Sequence, residues 1–550
     1  MKKDIFIILA IILFGATLYT LTLRGAPGNP TASEFKDNLD MPTYAFELSS
    51  ERGRYVHVVS LAQRGTFDIT EEWALVAYPD VGVHNDKYYS FFAPGVSYFT
   101  LPFYLLGSKF GLGQVATFAA ESIVSIITLV FIYLIGRRIF KLPLWAAVFA
   151  VLVYGFGSTS WSYAITLYQN AFTACFIVTA LYAAWCFGES RARFAWLYAV
   201  YVWLAYALAI TVDYPNALLM LPVMVYLAYL TFLFKKTEGE GIAISVRWAG
   251  VVTALAFVIV TGFHFAHNVY YYGGWSKLAG TLESYRPYTT ATTTPIMGTT
   301  DTLTSASAIS TLPSVLLGTT SLVLATTTAT TTGTTTATTT PMKEKTVSGF
   351  FHEQNIPNGF SILMFSDERG LLFFTPIFLL SFLGIWYALR RKGGDRAVYV
   401  VLLCLMALNL FLYSSWGDPW GGWAYGPRYL IPSMPWLALF VGVALAWGGA
   451  AFSKKIIALA LFLYSSGIAL IGALTTNAIP PKSEAMFLPI NTYNFLKNVP
   501  FLQEGKSGSF VYNTYVSAHF SLLEYFLIIY GVLALIAVLV LFVSLFSRHE

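Results

Sequence analysis

The chain has 550 residues, 56% hydrophobic and 17% aromatic but only 11% charged, with a formal net charge of +5. That apolar excess, with a positive mean hydropathy, is more than a soluble domain carries and predicts a polytopic membrane protein. Lys and Arg are scattered in short clusters rather than gathered on one face, which argues against nucleic-acid binding; Cys175, Cys186 and Cys404 lie inside apolar runs and form neither a disulfide framework nor a metal spacing.

The opening "MKKDIFIILAIILFGATLYTL" has a basic start and an apolar run long enough to span, without a clean small-x-small cleavage site, and reads as an uncleaved first helix within 1 to 23. Eleven more apolar runs follow, near 113 to 136, 143 to 157, 162 to 187, 194 to 211, 214 to 234, 247 to 268, 370 to 389, 397 to 414, 429 to 450, 455 to 474 and 522 to 546. With a cytoplasmic N-terminus, the clusters "RRIFK", "RAR", "KK", "RRKGGDR", "SKK" and "SRHE" all fall inside, as the positive-inside rule requires. The expected fold is therefore all-α and polytopic, with about twelve transmembrane helices, both termini cytoplasmic, and the segments 24 to 112, 269 to 369, 415 to 428 and 475 to 521 facing outward. In domain terms, helices two to seven occupy 113 to 268, helices eight to eleven 370 to 474, and the last helix and tail 522 to 550.

The first outward loop contains "SSERGRYVHVVSLAQRG", a charged stretch in a chain that has little charge. Ser50 can cap a helix whose Tyr55, Val58, Val59 and Ala62 form an apolar stripe, with Glu51, Arg54 and His57 on another face, so that it lies along the membrane surface. Glu51 either favours the helix start and pairs with Arg54 or carries chemistry. "HNDKYYSFFAPGVSYFTLPFYLLG", from His84, begins with a polar turn and becomes an apolar segment broken by Pro94, Gly95 and Pro102. It reads as a re-entrant or interfacial hairpin. Residues 289 to 340 are Thr-rich and low in complexity and read as a disordered insertion.

A short first helix, a large outward loop with "SERGRY" and "KYYSFFAPG", then "HNVYYYGGW", "SDERGLLFFTP" and "WGGWAYGPRYLIPSMP" in that order resemble the GT-C class of integral-membrane glycosyltransferases, including the protein O-mannosyltransferases and lipid A aminoarabinose transferases. The resemblance implies transfer of a sugar from a polyprenyl-phosphate donor to an acceptor hydroxyl or amine of a glycan, lipid or protein, at the outer face of the cell membrane. It matches the proposed base of such enzymes to Glu51 and the motif arginine to Arg54. Some relatives place a lysine just before the proline of the second motif, where this chain has Phe92 and Ala93, so Lys87 or His84 would have to substitute.

Inverting transfer from a phosphate-linked sugar needs one carboxylate and several cations. Arg54, Lys87, Arg369 and Arg428 are the expected phosphate ligands, guanidinium groups matching phosphate oxygens bidentately; snorkelling to the interface is the alternative for Arg369 and Arg428. His84, Tyr88, Tyr89, Tyr429 and the intramembrane Glu121, Asp213 and His264 are candidate cavity residues, and the last three equally suit structural pairing. Trp420 and Trp423 would stack on sugar or anchor at the aromatic belt. No cofactor is expected, and a divalent metal stays open. A transporter or flippase of a lipid-linked substrate is the alternative function; against it, the chain lacks paired broken helices in repeated halves. An inactive scaffold homologue is a further alternative.

Overall fold

The computed structural model describes residues 2–39, 44–236, 242–287, 347–391, 396–447, 452–488 and 491–546. The Thr-rich insertion lies outside the described residues.

Apolar length decides most of the architecture. Among the described residues, eight helices are long and apolar enough to cross a membrane: Lys3–Thr22, Gly113–Arg138, Asn170–Glu189, Trp248–Tyr272, Arg396–Ser414, Arg428–Trp447, Phe452–Leu474 and Leu522–Val543. Four shorter apolar helices, Leu144–Phe156, Trp196–Val212, Asn216–Thr231 and Pro376–Arg390, complete the set. These twelve fall on the twelve apolar runs of the sequence. Arg428–Trp447 is almost wholly enclosed, whereas Trp248–Tyr272 and Leu522–Val543 turn most of their surface outward, as a lipid-facing helix requires.

Polar contacts sort the connections to two ends of this bundle. At one end cations of the basic clusters rest on aromatic side chains of neighbouring helices: Arg138 donates to the Tyr182 hydroxyl, Lys454 to the Tyr387 hydroxyl, and Arg391 lies over Trp447. At the other end the long connections join one another. Residues Leu23 and Gly25 pair with Phe510 and Gly508, Phe351 bridges Trp416, and Trp423 donates to Glu484.

The first long loop departs from its expected form in two ways. Residues 81 to 90 are a β-hairpin, Val81–His84 with Lys87–Ser90, extended by Glu283–Ser284 into a three-stranded sheet. The turn residues Asn85 and Asp86 both have positive φ, the conformation a two-residue hairpin turn demands and Asn and Asp tolerate. Only after this does a helix run, Gly95–Gly107, containing Pro102. The segment is thus a strand pair followed by a helix rather than one re-entrant hairpin.

The helix Ser49–Arg64 is also not a surface helix. From Ser50 to Ser60 all its residues except Arg52 are buried, on the charged face as well as the apolar one. His57 is part of the reason: its Nε2 accepts the Ser90 N–H at 3.1 Å, so its Nδ1–H donates to the Phe67 carbonyl at 2.8 Å. Burial lowers its imidazole to about 3, so the ring is a neutral staple between helix and hairpin. At Gly53 a Cβ would collide with the Ser90 hydroxyl and the Phe92 ring, so glycine sets how closely the two elements approach.

Candidate active site

Glu51 sits in the first turn of Ser49–Arg64. The helix is not capped by Ser50; Leu48 is the cap residue, and Glu51 reaches back so that its Oε2 accepts the N–H groups of Glu47 (3.0 Å) and Leu48 (3.4 Å). This satisfies helix-end donors, yet leaves Oε1 buried with no hydrogen-bond partner among the described residues. Burial, reinforced by the neighbouring Glu47 carboxylate and opposed by Arg24, raises the Glu51 carboxyl to about 7. A carboxylate with one free oxygen and a proton affinity near neutrality suits a general base.

Arg54, one turn along the helix, does not pair with Glu51. It donates from Nη1 to the Ser50 carbonyl at 2.7 Å and from Nη2 to Gln169 Oε1, and its guanidinium lies 4.4 Å from the Phe92 ring centre. Gln169 in turn hydrogen-bonds the Asp213 carboxylate, which is 3.5 Å from the Tyr413 hydroxyl. Tyr413 stacks on Tyr429 at 4.2 Å, and the Tyr429 ring lies beneath Arg428. Arg54 and Arg428 share a second aromatic surface, the ring of buried Tyr168, at 5.9 and 5.5 Å. Two guanidiniums, which repel, are thus held around one phenol. The Nε of each is buried and has no partner among the described residues. Half-buried Asp80, held by the Ser49 hydroxyl at 2.6 Å, faces both arginines, and Glu121 faces Arg54 from inside the bundle.

The glycines of "WGGWAYGPR" shape the Arg428 side. Gly421, Gly422 and Gly426 all have positive φ, and a Cβ on Gly421 would stand 2.8 Å from Arg428 Nε and 3.2 Å from the Tyr429 ring. The close approach that Gly421 allows is therefore toward a side chain of the same loop.

Several expected members of the site are engaged elsewhere. Arg369 is 1% exposed and donates to four carbonyls, those of Glu368, Trp420, Gly422 and Ile479, at 2.8 to 3.1 Å. It braces the glycine loop and is neither a free phosphate ligand nor a snorkelling anchor. Lys87 pairs with Asp68 at 3.3 Å on the hairpin, and His84 packs at Gly273. Tyr89 belongs to a cluster with Phe67, Tyr272 and Leu282, Tyr88 packs on Tyr285, and His264 lies parallel to His267 with Tyr214 beside it. The Trp423 indole is tied to Glu484 at 2.6 Å under Lys497, whereas the Trp420 Nε1 is buried without a partner among the described residues. No group of three or more His, Cys, Asp or Glu side chains arranged to hold a metal occurs among the described residues.

Three participants gave little sign in the sequence. Tyr168 and Gln169 belong to a run that reads as the start of an apolar span, but the helix there begins only at Asn170, and 157 to 169 is a buried irregular passage with one short turn, Ser160–Tyr163. Its legible mark is the Gly and Ser content of "GFGSTSWS", which favours turns over helix. Asp80 follows a proline in an otherwise unremarkable loop.

Together, fold and site define a polytopic helical membrane protein with a buried carboxylate and two guanidinium groups at the end where its long connections meet. No family model and no curated protein matches the chain. Among solved structures, ArnT from Cupriavidus metallidurans bound to undecaprenyl phosphate is similar over 98% of this chain and 76% of its own, at 14% identity and a TM-score of 0.44. The apo state of the same protein gives 98%, 77%, 15% and 0.43. The apo oligosaccharyltransferase of Archaeoglobus fulgidus gives 89%, 59%, 12% and 0.40.

Proposed function

We propose that the protein is an inverting membrane glycosyltransferase that moves a sugar from a polyprenyl-phosphate donor to an acceptor hydroxyl or amine at the extracytoplasmic face. The observation that carries this reading is the free, buried Oε1 of Glu51 on the same helix as Arg54, with Arg428 sharing Tyr168. In the reaction the acceptor heteroatom bonds to the anomeric carbon, the bond from that carbon to phosphate oxygen breaks, and the acceptor proton passes to Glu51. Polyprenyl phosphate leaves as a weak base needing no acid, while the two arginines take its charge. The basic clusters at the opposite end of the bundle support the outward assignment.

The test is consumption of polyprenyl-phosphate-linked sugars by the purified protein in vesicles. The wild type should consume a donor, and Glu51→Gln should bind the same donor but turn it over at least ~10²-fold more slowly. Undiminished turnover in the folded variant refutes Glu51 as base.

A further inference from the structure

The group next to Glu51 does more than fill space. Glu47 is held from two distant parts of the chain: its Oε2 meets Arg24 Nη1 at 2.5 Å and accepts the Asn477 N–H at 2.7 Å. Arg24 is itself fully buried and fixed by a bond from Nη2 to the Gly472 carbonyl at 3.0 Å. Glu47 therefore has little freedom, and its main-chain N–H is the donor that holds Glu51 Oε2 at 3.0 Å.

We propose that Glu47 is a positioning residue for Glu51: its main-chain N–H turns one carboxylate oxygen away from the acceptor, and its anchored charge keeps the other oxygen basic. The inference rests on the reading of Glu51 as the base. Each half has its own physical cause. The backbone bond fixes which oxygen is spoken for, leaving Oε1 without a partner. The charge opposes ionisation of a like group nearby, and the raised Glu51 carboxyl, with Glu47 second to burial among its causes, agrees with that. The other charged or titratable groups facing Glu51 are Arg24, which opposes Glu47, and the phenols of Tyr163 and Tyr168. Lys497 faces Glu47 from the last outward segment. A carboxylate with only arginines around it would be a weaker base; Glu47 offsets them.

The experiment is the pH dependence of kcat/KM for the full chain in vesicles with a polyprenyl-phosphate sugar, comparing wild type, Glu47→Gln and Glu51→Gln. The wild-type acid limb is expected near pH 7. In Glu47→Gln it should move down by about one unit, as loss of a like charge at close range dictates, and in Glu51→Gln it should disappear. An unmoved limb in Glu47→Gln, whatever the loss of rate, makes Glu47 purely structural and overturns the proposal. A limb that persists in Glu51→Gln overturns the reading of the base instead. For the case in which Glu47→Gln does not fold, the wild type is treated with a hydrophobic carbodiimide, which modifies protonated carboxyls, and Glu51 is followed by mass spectrometry. Modification lost by about pH 5, the ordinary glutamate range, overturns the proposal; where it persists to about pH 7, the same series on Glu47→Asp, which draws the like charge back by one methylene, should show modification lost at lower pH than in the wild type, and an unmoved profile there overturns the proposal.

Discussion

Replacing Arg428 by lysine separates a phosphate ligand from a bilayer anchor. The main chain at this position is unaffected, so the bond from Asn170 Nδ2 to the Arg428 carbonyl, 2.9 Å, should survive. The ammonium retains the charge and can still sit near the Tyr168 and Tyr429 rings, now 5.5 and 5.3 Å from the guanidinium carbon. Since such contacts are worth ~0.5–2 kcal/mol and are only partly lost, folding stability should fall by no more than about 1 kcal/mol. What lysine cannot reproduce is the planar edge carrying the unpartnered Nε. Losing one charge-assisted hydrogen bond to phosphate costs about 2 kcal/mol, or roughly 30-fold in kcat/KM for the donor. Initial rates against donor concentration, with thermal unfolding recorded on the same preparations, give both numbers. Unchanged donor dependence in a folded lysine variant would refute the argument and leave Arg428 as an interfacial cation.

Three further outcomes are expected. Because the folded protein holds the Glu51 proton up to about pH 7, above the ordinary glutamate range, it binds more protons than the unfolded chain between about pH 4.5 and 7. Stability should therefore decline by about 2 to 4 kcal/mol as pH rises through that window, and a thermal-shift series should show the decline flattened in Glu51→Gln. Gly421→Ala forces a non-glycine residue to positive φ, costing about 1 kcal/mol, and drives its Cβ against Arg428 Nε; since that flexible side chain must yield, donor kcat/KM should drop at least ~10-fold, beyond what thermal unfolding accounts for. Cysteines at exposed Ser33 and Glu504 should react with an impermeant maleimide in intact cells, and those at exposed Arg193 and Arg390 only after permeabilisation. Ser507, in the same segment as Glu504, is 3% exposed and is a poor probe.

The eight helices of spanning length were legible because lipid imposes one requirement, some twenty apolar residues, that composition alone reveals. Glu51, Arg54 and Arg428 drew attention in the sequence through the family resemblance and because charge is scarce in this chain; that Arg54 and Arg428 share the Tyr168 ring is a finding of the structure. Arg369 looked the same by that criterion, and only its four carbonyl partners distinguish a brace from a ligand. Contacts between segments hundreds of residues apart leave no mark in local sequence. The hairpin at 81 to 90 was obscured because its tyrosines and the following apolar residues suggest membrane depth, while the alternation that marks a strand lasts only four residues on each side. Tyr168 and Gln169 were missed for a related reason: aromatic and aliphatic neighbours read as span, and neither residue carries a charge to draw attention.

The joining of residues 23 to 25 with 508 to 510 also bears on how the protein is made. Leu23 accepts from Phe510 N–H at 2.8 Å, Gly25 donates to Gly508 at 3.3 Å, and Ser509 Oγ donates to Leu21 at 2.8 Å. Arg24 and Glu47 emerge early from the ribosome, but the Gly472 carbonyl and Asn477 N–H that complete their environment are synthesised more than four hundred residues later. Until then the connection that follows the first helix carries polar groups that lack two of their native partners. A chain released short of residue 472 would keep them in that condition, a buried cation and a buried carboxylate each short of a hydrogen bond that the complete molecule supplies.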